Sequence, residues 1–139
     1  MPRRDANHDA VRQALVKDGW TITHDPLMIR YKGLRVFIDL AAEKIVAGDE
    51  GRIAVEIKVF GGRSAVDDFE KAIGQYSLYR NLLTRIRSER ELFLAVAQHT
   101  YDSFFQVPAI QEYLSEHQIQ VLIFDDKRAE VVKWIRWKS

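Results

Sequence analysis

Four side chains in the first half of the chain could do chemistry together: Asp39, Glu43, Glu56 and Lys58. Glu56 and Lys58 stand two positions apart within residues 52–60, where Ile53, Val55, Ile57 and Val59 alternate with polar residues. On a strand this sends the apolar set to one face and the acid and lysine together to the other, with their Cα atoms about 6.6 Å apart. An acid two residues from a lysine is common on amphipathic strands, so Asp39 decides the matter. It follows the apolar positions Val36 and Ile38 and has the same parity as Glu43. Clustered carboxylates repel one another unless a cation neutralises them, and acids on neighbouring strands supply the hard oxygen ligands that magnesium takes. A lysine beside them would orient or activate water, or stabilise charge on a phosphoryl group, as metal-assisted phosphodiester hydrolysis requires.

These residues must be brought together by a hairpin. Glycines at 48 and 51 bracket Asp49 and Glu50 and predict a tight turn there. With Asp49 and Glu50 as the turn residues, Glu43 falls opposite Glu56 and Ala41 opposite Lys58. Upstream, Asp5 caps a helix running to about residue 18, with His8, Val11 and Leu15 on one face and Gly19 ending it. Residues 20–23 read as a short extended segment, Asp25-Pro26 as a turn, and residues from Leu34 onward as β. Downstream, Gly61-Gly62 breaks the sheet and Ser64 caps a long helix to about residue 86. Its core stripe is Val66, Phe69, Ile73, Tyr76 and Leu83. A strand over 91–97, a helical stretch over 100–117 interrupted at Pro108, a strand over 119–124, a turn at 125–128 and a strand over 130–137 complete the chain. Helical crossovers make the strands they join parallel, so the order predicts an α/β fold with a mixed β-sheet flanked by helices on both faces.

An acid, then acid-x-Lys on the next strand, then a helix, resembles the PD-(D/E)XK (restriction-endonuclease-like) nuclease core. The long helix adds Gln75 and Tyr79, spaced i, i+4 and sharing a face, which resembles the glutamine and tyrosine signature of RecB-like members beside their metal site. His8 stands where many members of that superfamily carry a glutamate ligand; it is either such a position or a packed histidine. Glu43 stands 13 positions before Glu56, the spacing closer to that of RecB-like relatives, and Asp39 stands 17 before it. Asp39 is the preferred first acid because it follows the apolar strand as the superfamily acid usually does, with Glu43 beside it or in its place.

Across essentially the whole chain, the segments H-D-A-V, A-L-V-K-D-G-W-T-I-T-H-D-P-L, I-D-L-A-A-E-K, A-V-E-I-K-V-F, G-Q-Y-S-L-Y-R and L-A-V-A are similar, in order, to the motifs of the XisH family. That resemblance implies a cyanobacterial controlling factor for excision of the fdxN DNA element during heterocyst development. It also implies a Mg2+ or Mn2+ cofactor held by Asp39, Glu56 and Glu43, and catalytic positions at Asp39, Glu56, Lys58, Gln75, Tyr79 and His8. The implied partners are DNA and the small protein XisI, with a site-specific recombinase engaged indirectly.

Composition bounds the alternatives. At 139 residues with 47% hydrophobic and 29% charged positions, one domain spanning 1–139 is expected. Absence of cysteine excludes disulfides, thiolate metal sites and a cysteine nucleophile. No apolar run approaches a membrane span, so a soluble cytoplasmic protein is expected. A net charge of +1 argues against coating nucleic acid by bulk electrostatics and makes any contact local. Two local basic groups stand out: Arg80, Arg85, Arg87 and Arg90, and Lys133, Arg136 and Lys138. Trp134 and Trp137 mark either a homodimer or partner surface or part of a sheet-packed core.

Overall fold

The computed structural model describes residues 6–46 and 48–137. The chain runs α1 (Ala6–Lys17), β1 (Thr21–His24), β2 (Leu27–Tyr31), β3 (Leu34–Ile38), β4 (Leu40–Val46), β5 (Asp49–Ile57), α2 (Ala65–Arg85), β6 (Glu91–Ala97), α3 (Gln98–Asp102), α4 (Pro108–Glu116), β7 (Val121–Asp125) and β8 (Glu130–Ile135). A short 3-10 turn, Phe104–Gln106, lies between α3 and α4. Six strands form one mixed sheet in the order β1-β4-β5-β6-β7-β8, while β2 and β3 pair as a separate ribbon. The pairs β5·β6 and β6·β7 are parallel and the remaining pairs antiparallel, as the helical crossovers require.

Two apolar cores lie on opposite faces of this sheet. On one, Ala10, Val11 and Leu15 of α1 pack with Trp20, Leu40, Ile53, Val55, Phe93 and Leu122. On the other, Phe69, Tyr76, Leu82 and Leu83 of α2 pack with Ala54, Leu94, Phe105, Leu114 and Ile123, joined by Ile29 and Ile38 of the ribbon. With both faces covered, β6 reads Leu-Phe-Leu-Ala-Val-Ala after its first residue and buries all six, as expected for parallel strands enclosed by helices.

Local signals explain the boundaries. Gly19, at φ +95°, ends α1 in the left-handed conformation that glycine adopts freely. Ser64 accepts a hydrogen bond from the Asp67 amide and caps α2. Pro108 opens α4, where its missing N–H costs nothing, so the interruption expected there separates two helices.

Residues 27–31, assigned to no element from the sequence, form a strand that pairs along its whole length with β3. Two local expectations are corrected. Val66, expected in the α2 stripe, is 55% exposed because that stripe begins at Phe69. The β4–β5 hairpin is four positions out of the expected register. Val46 pairs with Asp49 and Glu43 with Arg52, so the chain reverses between Val46 and Asp49, where Gly48 takes φ +86°. Gly51 serves a different purpose: a Cβ there would lie 3.3 Å from the Trp20 ring, so the missing side chain makes room for an indole.

The two ends of the sequence order meet on the α1 face. Lys17 Nζ donates to Arg128 O at 2.6 Å, and the Trp134 ring lies 5.6 Å from Trp20 and 4.9 Å from Phe93. Trp137 donates its indole N–H to Ile119 O at 2.7 Å. Both C-terminal tryptophans are therefore half-buried and packed. Among the described residues, no helix is long and apolar enough to cross a membrane.

Candidate functional site

The corrected register brings Asp39 to Glu56. Leu40 pairs with Val55, so Asp39, at the bend between β3 and β4, stands one step further on, opposite Glu56. Each carboxylate bonds the other residue's strand. The Asp39 amide donates to Glu56 Oε1 at 3.2 Å, and the Ile57 amide donates to Asp39 Oδ2 at 2.8 Å. Ala41 and Ala54 pair two steps away with Ala54 in the α2-side core, so the acids point to that same face.

Glu56 is only 6% exposed. Burial, and then the charge of Asp39 beside it, push its carboxyl from 4.5 up to about 8, against the opposing pull of Lys58. Near neutral pH this glutamate therefore keeps a proton. Lys58 lies just past the end of β5, where its amide still donates to Ala95 O at 3.0 Å. The extended register continues, and the lysine shares the face of Glu56.

On α2, Tyr79 is buried, and its hydroxyl is raised above its ordinary value first by burial and then by the charges of Glu56 and Asp39. The tyrosine is thus within electrostatic reach of both acids. Gln75, one turn earlier on the same helical face, carries a buried amide oxygen with no hydrogen-bond partner among the described residues. Tyr79, Asp39, Glu56 and Lys58 consequently gather where α2 covers the sheet, with Gln75 one turn along the same helix.

Glu43 and His8 are placed otherwise. Glu43 lies four residues along β4 from Asp39, about 13 Å on an extended strand, opposite Arg52 and 3.5 Å from Arg90 Nη2. The four-residue change of register is what removes it from the expected patch. His8 Nε2 sits 2.8 Å from Asp25 Oδ1, and Arg12 Nη1 lies 2.6 Å from Asp25 Oδ2. It belongs to a half-buried cluster joining α1 to the β1–β2 bend.

Arg90 has a part that sequence reading missed. Its guanidinium donates to Ala42 O, Ile53 O, Thr23 Oγ1 and Glu43 Oε2, tying β1, β4 and β5 together. Burial lowers its pKa, opposed by Glu43. Its only sequence signal was an arginine directly before a hydrophobic strand.

Fold and site together define a mixed α/β protein whose chemistry would be carried by two interlocked carboxylates and a lysine beneath a helix. The chain belongs to the XisH family: the family model described as XisH protein matches residues 1–132. It is similar to the crystal structure of an XisH family protein from Nostoc punctiforme, with 41% identity and a TM-score of 0.87, covering 95% of this chain and 100% of that one. It is also similar to that of a fdxN element excision controlling factor protein from Anabaena variabilis, with 40% identity and a TM-score of 0.87, covering 96% and 100%. A search of curated proteins found no match.

Proposed function

We propose that this protein is a controlling factor for excision of a DNA element of the fdxN type, acting in the cytoplasm, and that it carries a PD-(D/E)XK-type divalent-cation site for phosphodiester hydrolysis. Family membership supports the first part. One observation carries the second: Asp39 and Glu56 are locked side by side, and burial first, then the charge of Asp39, raises Glu56 to about 8. Carboxylates held this way favour a bound positive charge, either a proton or a metal ion.

Among the described residues no cluster of three or more His, Cys, Asp and Glu assembles. A two-carboxylate donor set suits Mg2+ or Mn2+, which retain water and take up substrate phosphate oxygens. Asp39 and Glu56 would hold the ion, which would supply Lewis-acid polarisation and charge neutralisation. Lys58 would donate to a phosphate oxygen or to the attacking water. The free acceptor of Gln75 would orient a water or a substrate hydrogen-bond donor, and Tyr79 would close the site from the helix side.

The test is nicking of supercoiled plasmid with Mg2+ or Mn2+, alongside Mn2+ binding measured by calorimetry. The expected result is cleavage and binding by the wild type, cleavage lost in Lys58→Met, and both lost in Glu56→Gln, with circular dichroism unchanged. Cleavage surviving both substitutions, or wild-type protein that neither binds the ion nor cuts, refutes the catalytic reading.

A second reading is favoured by the engagement of Glu43 and His8 elsewhere, which leaves the site two acids. In it, the protein is a non-catalytic accessory that uses the nuclease fold to bind DNA or to dock a XisI-like small protein, reaching the recombinase through that partner. Binding of DNA or XisI without turnover in the same assays selects it.

A further inference from the structure

The β2–β3 ribbon contains no acidic residue and three cations, Arg30, Lys32 and Arg35, in a chain whose net charge is only +1. Its inner face is fixed to the α2-side core through Ile29 and Ile38. On its outer face Met28 pairs with Phe37, and Arg30 lies directly opposite Arg35. Like charges facing each other across a strand pair destabilise it, so local stability does not account for this arrangement. Met28 and Phe37 are 47% and 49% exposed, and Arg30, Lys32 and Arg35 are all exposed. Among the described residues none of the three forms an ion pair; Arg35 rests over the Phe37 ring and Lys32 over that of Tyr31.

Three of the other basic residues are committed within the fold, while Arg85 and Arg87 are exposed. Arg80 binds the carbonyls of His117 and Gln118, Arg90 binds inside the sheet, and Arg136 pairs with Glu91. The ribbon also leads straight into the site, since Ile38 is followed by Asp39. Arg35 thus stands about 13 Å from Asp39 along an extended strand, comparable with the ~12 Å width of the DNA major groove, which admits a two-stranded ribbon.

Resting on the proposed nuclease-like site, we infer that the outer face of the β2–β3 ribbon is the surface that docks duplex DNA, with Arg30, Lys32 and Arg35 neutralising backbone phosphates and Met28 and Phe37 lying against the groove. Charge complementarity selects a polyanion over a protein partner, and the paired arginines offer two guanidiniums side by side for phosphate contact.

The test is fluorescence anisotropy of a labelled duplex of about two helical turns (~20 base pairs) with full-length protein in EDTA, so that binding is read apart from any cleavage. Arg30→Ala/Arg35→Ala is expected to weaken binding about tenfold or more and to lower the slope of log K against log salt by about 2. Arg35→Glu places opposite charges across the ribbon, so it should keep or raise the melting temperature while also losing affinity. Arg85→Glu/Arg87→Glu serves as the control and should bind better than either ribbon variant. Unchanged affinity in the ribbon variants, or absence of wild-type duplex binding at low salt, overturns the inference. So does dissociation of a wild-type dimer by Arg35→Glu at unchanged DNA affinity. In Glu56→Gln, duplex binding with no cleavage separates failure of the catalytic reading from failure of this one.

Discussion

Replacing Glu56 with glutamine should change how stability depends on pH, because the folded protein holds the Glu56 proton to about pH 8 whereas the unfolded carboxyl releases it near 4.5. Between those values the native state binds more protons than the unfolded chain, so stability falls as pH rises. The contribution is fully present below 4.5 and is lost as pH rises through 8. Each pH unit is worth about 1.36 kcal/mol, so from pH 5 to 7.5 the wild type should lose about 3 kcal/mol through this group. Glutamine keeps an oxygen to accept from the Asp39 amide but has no proton to lose. Other titrating groups are common to both proteins, and the difference between them isolates Glu56. Urea denaturation followed by tryptophan fluorescence gives the free energies. With a denaturant slope of about 2 kcal/mol per molar, the wild-type midpoint should fall relative to Glu56→Gln by roughly 1.5 M over that interval. A difference between the two proteins that is the same at pH 5 and pH 7.5 would show that the carboxyl is ionised in the fold and that its proximity to Asp39 is not costly.

The same series on Lys58→Met should show the pH-dependent loss extending to higher pH, since the lysine opposes the rise of Glu56; a shift to lower pH would contradict its placement on that face. Tyr76→Phe should cost about 1–3 kcal/mol, because the hydroxyl donates to Leu92 O and accepts from the Gln120 amide, and the denaturation midpoint reads this directly. Arg90→Met should cost about 2 kcal/mol or more and speed hydrogen exchange in β1 and β4, the strands its guanidinium joins to β5. Addition of Mn2+ at pH 7.5 should raise the wild-type melting temperature, equivalent to about 2.7 kcal/mol at a hundredfold excess over Kd, and leave Glu56→Gln unmoved.

The order of elements and the parallel pairings were legible in the sequence because each rests on a strong local signal. Ser64 caps α2, the run from Leu92 to Ala97 can only be a strand enclosed on both sides, and a helical crossover forces its flanking strands parallel. The pairing of Asp39 with Glu56 was legible in parity but not in register. Asp49 and Glu50 suit a turn as well as Gly48 does, and local sequence cannot show that Gly51 is needed for the Trp20 ring. That error of four residues moved Glu43 into the predicted patch, while parity, which survives any even shift, kept Asp39 on the correct face. The ribbon was hidden for a related reason. Residues 27–31 alternate weakly, and what makes them a strand is the partner that follows Gly33. Arg90 and the His8–Asp25 pair join residues 47 and 17 positions apart, beyond the reach of any periodicity.

The meeting of α1 with β8 bears on how the chain is made. Leu15 and Trp20 emerge from the ribosome early, yet the floor on which they rest includes Leu122, Phe124 and Trp134. Until those residues are synthesised, the first helix has only part of its seat, and the apolar side of the central strands stays open to water. Pairings of such long sequence separation are slow to form and leave adhesive surface uncovered while they do. Although translated well before β8, α1 is therefore among the last helices to dock, and nascent chains stalled before β8 should be more prone to self-association than the finished protein.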